Sequence, residues 1–281
     1  MATYTNFGAE TTATEVAAAF AEQIQGKHVL LVGVSPGTVE INLASQASIR
    51  KAAEEIKALT PKLDVIINNA GINVLTHEYT AEGIELHFGT NHIGLFLLTN
   101  LLLKAFPKPR VVNLTSAGHR LSPIRFSDYN FTKKDVPEAE QPPPGLPAQF
   151  FEGGGAYSGF VAYGQSKTAN ILFSVSLQRR GIASYAVHPG SIWTGLSRNL
   201  DEKGLGVIKG TATTWKNGDQ GAATALVAAF DPGLDGTKGN EVYMADCQLA
   251  EAAPHAVDAE MAERLWGLSE ELVGEKFALS G

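Results

Sequence analysis

The stretch Lys27-His-Val-Leu-Leu-Val-Gly-Val-Ser-Pro-Gly37 decides the fold of this chain. It begins with a short run of valine and leucine and ends in a glycine turn between Gly33 and Gly37. A continuous apolar run that enters a glycine turn is typical of a parallel strand buried on both faces. The sequence therefore predicts that Lys27 to Val32 form the first strand of a parallel sheet.

Strand-like and helix-like segments alternate along the rest of the chain. Further strands are predicted at residues 65–68, 110–115, 183–188 and 241–244. Helical spacing of apolar residues predicts helices at 12–25, 45–59, 83–106, 163–180, 219–230 and 258–273. Strands that alternate with helices in this way indicate an α/β fold, in which helices cover both faces of a mostly parallel sheet.

The length of 281 residues favours one domain. Within it we predict a leading helix in residues 1–25, a long loop rich in proline and glycine at 121–160, and a helical tail at 258–281. Loops of this length are usually functional or disordered. The sequence contains no internal repeat.

The composition of the chain argues against several classes of protein, among them nucleic-acid-binding and membrane-spanning proteins. The net charge of −7 argues against nucleic acid as a partner, because nucleic-acid-binding proteins usually carry basic stripes. The single cysteine, Cys247, and the absence of a signal-peptide pattern predict a cytoplasmic protein. The most apolar stretch, Ile93 to Leu103, is too short to span a bilayer, and no metal-ligand spacing is present.

The strongest chemical signal is Tyr163-Gly-Gln-Ser-Lys167, at the start of a predicted helix. Tyrosine and lysine four residues apart lie on the same helical face. The lysine ammonium would favour the phenolate, so we expect it to bring the tyrosine pKa closer to working pH for proton transfer. Tyr129 and Lys133 share this spacing, but they lie among charged residues with no apolar period behind them, so we expect Tyr129 outside the active cleft.

Further motifs accompany Tyr163 and Lys167 in a fixed order. They are Asn68-Asn-Ala-Gly71, Thr90-Asn-His-Ile-Gly94, and Val111-Val-Asn-Leu-Thr-Ser-Ala-Gly-His-Arg120, whose Ser116 ends a strand. Together they resemble the short-chain dehydrogenase/reductase family, most closely its retinol-dehydrogenase-like branch, from about Gly26 to Gly274. The resemblance implies a Rossmann-like, doubly wound sheet.

The resemblance also implies a role for each catalytic residue. Tyr163 would donate or accept the proton, Lys167 would tune its pKa and bind the nicotinamide ribose, and Ser116 would hydrogen-bond the substrate oxygen. Asn91 would anchor a proton-relay water. The implied reaction is hydride transfer between a nicotinamide cofactor and an alcohol or carbonyl carbon.

The same resemblance implies a cofactor site. Its expected residues, besides Tyr163 and Lys167, are Gly33, Gly37, Asn68, Ala70, Gly71, Pro189, Gly190 and Thr194. The cofactor would be NADP or NAD, with NADP slightly favoured by the resemblance. Apolar residues that would suit a substrate pocket, or equally an ordinary core, are Leu121, Ile124, Phe126, Phe150, Phe151 and Trp193.

The chain departs from the family pattern after the first strand. The third glycine position of the family's first turn is Val39, and residues 38–45 look like the family's third strand instead of a helix. About forty residues, including the pyrophosphate-binding helix, are therefore expected to be missing. Asn42 also replaces an aspartate common in the family. The sequence leaves open a natural short form and an incomplete gene model.

Six residues cannot provide the crossover of a dozen or more that joins two parallel strands. We therefore predict that Val39 to Leu43 form an antiparallel edge strand beside the first strand, or irregular chain, and that no helix begins at Gly37. Two functions stay open on the sequence alone. One is an oxidoreductase acting on a small, apolar molecule; the other is a non-catalytic remnant that binds or scaffolds without a dinucleotide. A homo-oligomer also stays open.

Overall fold

A six-stranded sheet forms the centre of the computed structural model, which describes residues 3–34, 37–151, 157–235 and 241–279. Its strands lie side by side in chain order. They are β1 (Val29–Val32), β2 (Val65–Asn68), β3 (Arg110–Leu114), β4 (Ser184–His188), β5 (Tyr243–Ala245) and β6 (Gln248–Leu249). The first five strands are parallel and β6 is antiparallel to β5. The predicted mostly parallel, Rossmann-like architecture is confirmed.

Helices follow the strands much as the sequence predicts. They are α1 (Ala13–Ala19), α2 (Ala21–Ile24), α3 (Gln46–Leu59), a π-helical turn (Phe88–Ile93), α4 (Gly94–Leu103), α5 (Gly159–Arg179), α6 (Glu202–Lys209), α7 (Gly218–Phe230) and α8 (Ala259–Val273). The predicted leading helix is broken at Phe20, whose ring packs on Tyr4 and Phe7. The predicted helix 163–180 begins earlier, because Ser158 caps the amide of Val161.

Two apolar layers cover the sheet, one on each face. On one face α3, α4, α5 and α8 pack against Leu30, Val32 and Ile66. On the other, α1 and α7 pack against Val65, Ile67 and the alternate residues of β3 and β4. This alternation places helices on both faces, as the strand–helix pattern indicates.

The β1 edge of the sheet is poorly covered. Val29 and Leu31, which face the α1 and α7 side, are 42% and 43% exposed, and Val34 is 51% exposed. None of the described residues between Gly33 and Ser45 is helical, and Val39 to Leu43 are irregular chain. This confirms that no helix begins at Gly37, and of the two predicted forms of residues 39–43 the chain adopts the irregular one.

The predicted long loop connects β3 to α5. A short 3₁₀ turn, Ala117–Leu121, leads into it, and two more lie within it at Glu138–Glu140 and Ala148–Phe150. A buried Arg125–Asp128 ion pair, with its nitrogen and oxygen 2.7 Å apart, joins two residues near the start of the loop. The Gly153 to Gly155 run lies outside the described residues.

Candidate active site

Tyr163 and Lys167 lie in the first turns of α5 and are both buried. The Lys167 Nζ lies 5.4 Å from the centre of the Tyr163 ring and donates a hydrogen bond of 3.1 Å to the carbonyl of Leu114. A second bond, from the Thr115 hydroxyl to the Lys167 carbonyl at 2.7 Å, fastens α5 to the end of β3. The predicted Tyr–Lys pair is therefore fixed against the carboxyl edge of the sheet.

Ser116 follows β3 by two residues and lies beside the Tyr163 ring. Its hydroxyl accepts the Gly118 amide at 3.1 Å, which orients the serine side chain. A Cβ on Gly118 would come within 3.2 Å of Tyr163 Cε1 and 3.4 Å of Ser116 Oγ. Glycine at this position therefore allows the tyrosine ring to approach the serine.

Burial dominates the ionisation of the pair. Desolvation raises the pKa of Tyr163 to about 12, although a hydrogen bond with Ser116 works against the rise. Burial also lowers the pKa of Lys167 to about 8. The expected lowering of the tyrosine pKa toward neutrality is not seen in this structure, because the loss of hydration around the phenolate is the largest influence on that pKa.

Asn91 lies in the π-helical turn that precedes α4. Its Oδ1 accepts the Ile72 amide at 2.8 Å, and its Nδ2 donates to the Ile72 carbonyl and to Ser166 Oγ. Single π-helical turns often occur at functional sites. Here the turn joins the segment after β2 to α5 at Ser166, the residue next to Lys167.

A buried carboxylate–imidazole pair lies next to Tyr163, and sequence analysis missed it. Glu85 Oε1 lies 2.7 Å from His87 Nδ1, and the Tyr157 hydroxyl donates to the same oxygen at 3.1 Å. The His87 ring meets the Tyr163 ring edge-on, with ring centres 6.0 Å apart. Although burial alone would raise it, hydrogen bonds from His87 and Phe88 lower the pKa of Glu85. The only signal in the sequence was two polar residues within an apolar helical pattern.

A large groove of about 1040 Å³ opens beside β1. Four of the predicted cofactor residues line it: Gly33, Gly37, Ala70 and Gly71. Gly33 adopts a φ of +100°, and a Cβ there would lie 2.6 Å from the Ala70 backbone. Only glycine permits this close approach of the β1 and β2 ends.

The other predicted cofactor residues are placed differently. Asn68 is fully buried and its Nδ2 donates to Thr99 and Asn113, so its side chain belongs to the core and does not reach the groove. Thr194 is exposed and caps a 3₁₀ turn through the Leu196 amide. Pro189 and Thr194 line neither described cavity, whereas Gly190 lines the second one.

That second cavity, the substrate cavity, has a volume of about 260 Å³ and contains Ser116 and Tyr163 in its wall. Of the apolar residues expected there, Leu121, Phe150 and Trp193 line it. Ile124 and Phe126 instead pack in or against the main core, and Phe151 lies outside the lining. Tyr129 also packs against that core, which confirms that it lies outside the cleft.

Neither a metal-binding cluster nor a membrane-spanning helix is present among the described residues. Within the described part of the chain no three histidine, cysteine, aspartate or glutamate side chains are grouped as metal ligands. Among the helices of that same part, none combines the length and the apolar character needed to cross a bilayer.

Comparison with known proteins gives consistent matches. The sequence model of the family described as short chain dehydrogenase matches residues 4–138. Retinol dehydrogenase 12 of Mus musculus is 36% identical over 84% of this chain and 69% of its own length. Short-chain dehydrogenase TIC 32 B, chloroplastic, of Brassica napus is 35% identical over 84% of this chain and 71% of its own. A solved structure of an uncharacterized protein from Mycobacterium paratuberculosis is 33% identical, with a TM-score of 0.60 over 85% of this chain and 76% of that one.

Proposed function

The chain belongs to the short-chain dehydrogenase/reductase family, and from this premise we propose that it is an NAD(P)-dependent oxidoreductase. It would transfer a hydride between the nicotinamide and an alcohol or carbonyl carbon of a small, apolar substrate. The observation that carries the proposal is the meeting of Ser116 and Tyr163 in the wall of one apolar cavity, with Lys167 behind them.

The nicotinamide end of the cleft fits a bound cofactor. Lys167 Nζ makes one described hydrogen bond, to Leu114, which leaves further N–H groups free to donate. Gly71 lines the groove next to it, and even an added Cβ there would stay 3.4 Å from Nζ. Lys167 is therefore the residue that would hold the nicotinamide ribose, with Tyr163 beside it. When bound, the dinucleotide supplies the hydride donor or acceptor.

The proton chemistry follows from the two pKa values. A pKa of about 12 keeps Tyr163 protonated at pH 7, so its hydroxyl can donate a proton to a carbonyl oxygen during reduction. Ser116 would hold that oxygen by a hydrogen bond. Lys167, with a pKa of about 8, is mainly cationic at pH 7 and favours the phenolate as the proton leaves Tyr163.

The adenosine-phosphate end fits less well. None of the described residues from Gly33 to Ser45 provides the helix N-terminus that binds phosphate through free N–H groups and the helix dipole. We therefore expect any dinucleotide to bind more weakly than it would with such a helix. A non-catalytic remnant is the second candidate, and this missing helix is the observation that favours it. Cytoplasmic location, the choice of NADP over NAD and a homo-oligomer stay predictions.

Cofactor titration separates the two candidates. Purified protein is titrated with NADPH and with NADH while nicotinamide fluorescence and calorimetric heat are followed, and Lys167→Ala serves as the matched variant. Saturable micromolar binding that Lys167→Ala weakens supports the oxidoreductase. No binding of either dinucleotide supports the remnant.

A further inference from the structure

The substrate cavity is walled by uncharged side chains. No lysine, arginine, aspartate or glutamate is among its described lining residues, and burial lowers the pKa of His188 to about 4, so that histidine is neutral at pH 7. Outside the lining, the Lys209 Nζ lies 6.0 Å from the centre of the Trp193 ring. A charged substrate would lose its hydration here, and no charged side chain of the lining compensates for that loss. The cavity therefore favours a neutral molecule.

One wall of this cavity is a pair of stacked indoles. The rings of Trp193, which follows β4, and Trp215, which precedes α7, lie 4.6 Å apart between centres and only 9° from parallel. Trp193 is 46% exposed, so the pair stands at the mouth of the cavity. Phe150 and Phe160 also line the cavity and pack edge-on, with their ring centres 5.8 Å apart.

The backbone on both sides of the indole pair is held in place. Ile192 and Lys216 form a parallel β-bridge, in which the Lys216 amide donates to the Ser191 carbonyl at 2.9 Å. Ile192 also packs directly on Gly221 at the start of α7, where a Cβ would lie 2.0 Å from Ile192 Cδ1. The two indoles are therefore held as one stacked pair, in which each ring covers one face of the other.

We infer that the Trp193–Trp215 pair determines substrate specificity, and that it selects a compact, flat, uncharged ring compound bearing an aldehyde, ketone or alcohol. This inference rests on the proposed function. A volume of about 260 Å³ lies just below the ~300–1,000 Å³ typical of ligand pockets, so a compact molecule fills it. A flat ring gains offset stacking on an indole surface that a flexible chain of equal size does not.

The catalytic test uses two uncharged aldehydes of nearly equal heavy-atom count, 2-naphthaldehyde and decanal, with the nicotinamide cofactor at saturation. Wild type should prefer the naphthaldehyde by about tenfold or more in kcat/KM. Trp193→Ala and Trp215→Ala should each remove most of that preference, while Trp193→Phe should keep part of it. Phe151→Ala, an exposed aromatic outside the lining, is the matched control and should leave the preference unchanged.

A binding test separates failure of this inference from failure of the proposed function. Calorimetry with 2-naphthalenemethanol and no cofactor should show binding to wild type that Trp193→Ala and Trp215→Ala weaken by about tenfold. The alcohol could bind in this way while no dinucleotide binds and no aldehyde is reduced. In that case the proposed function is wrong, but the inference that the indole pair binds a flat ring is supported. Equal affinity of wild type and both alanine variants for the alcohol, or no binding to wild type, overturns the inference. The inference is also wrong if the enzyme is active and the ratio of kcat/KM for naphthaldehyde to kcat/KM for decanal is the same in wild type and both alanine variants.

Discussion

Strands β1 and β2 are neighbours with similar sequences, Val29-Leu-Leu-Val32 and Val65-Ile-Ile-Asn68, yet they differ in how far their side chains are buried. Leu31 and Ile67 are direct partners in the parallel register and point to the same face, but Leu31 is 43% exposed and Ile67 only 7%. β2 has a strand on each side, whereas β1 is the edge of the described sheet. An apolar strand sequence therefore indicates that the strand can be buried. Whether its side chains are buried depends on the strands and helices that pack against it.

The cleft shows the same contrast. The Ser116, Tyr163 and Lys167 end rests on β3 and α5, which are covered on all sides, while the groove near Gly33 and Gly37 opens beside the exposed edge. We expect the Ser116, Tyr163 and Lys167 end to keep its geometry when the residues near β1 are changed. The predictions below test this separation.

The largest effect is expected at the covered end. Tyr163→Phe removes the hydroxyl that transfers the proton but little contact area, so turnover should fall by about 10²–10⁴-fold while nicotinamide affinity changes by less than about twofold. Steady-state kinetics and cofactor titration measure the two quantities. Tyr129→Phe, the same substitution at the other Tyr–Lys spacing, is the control and should leave turnover unchanged. Equal turnover by wild type and Tyr163→Phe would end the proposed mechanism.

The strand comparison gives the next prediction. Ile67→Ala should lower the free energy of unfolding by about 2–5 kcal/mol, because it leaves a cavity in a packed layer. Leu31→Ala, in the partner position of the register, should cost less than about 1 kcal/mol, since much of its surface is already exposed. Urea denaturation of both variants measures the difference. Equal losses would show that another part of the molecule, or another chain, covers β1 in solution.

The smallest expected effect is a change of stability with pH. Burial lowers the pKa of Lys167 from its usual 10.5 to about 8, so between these values the unfolded chain holds a proton that the folded chain has lost. The free energy of unfolding of wild type should therefore rise with pH across this window. Lys167→Met removes the buried ammonium, so at pH 7 it should be more stable by about 2–3 kcal/mol.

Denaturation at pH 7 and pH 9.5 checks this prediction. The advantage of Lys167→Met should shrink by about half at the higher pH, and Tyr163, present in both proteins, cancels from the comparison. A difference that stays constant with pH would mean that Lys167 is hydrated in solution.

The buried strands and the site around Tyr163 were predicted well from the sequence, because there the apolar pattern of each segment agrees with the packing that surrounds it. The strand 65–68 and the placement of Ser116 against Tyr163 follow from apolar runs and family motifs. The ionisation of Tyr163 could not be predicted, because it depends on how much water burial removes. Asn68 was misplaced for a related reason: a motif gives a position in the chain, while the face on which a side chain lies depends on its neighbours.

The order of the strands has a consequence for how the chain acquires its fold. Each described strand after β1 pairs with the one before it in the chain, so no strand has to insert between two that are already paired. Each parallel pairing still has to close over a whole crossover segment, and non-local contacts of this kind form slowly. On the ribosome, each strand can add to the growing edge as soon as it emerges. β1, made first, would act as the template from which the whole sheet extends in one direction.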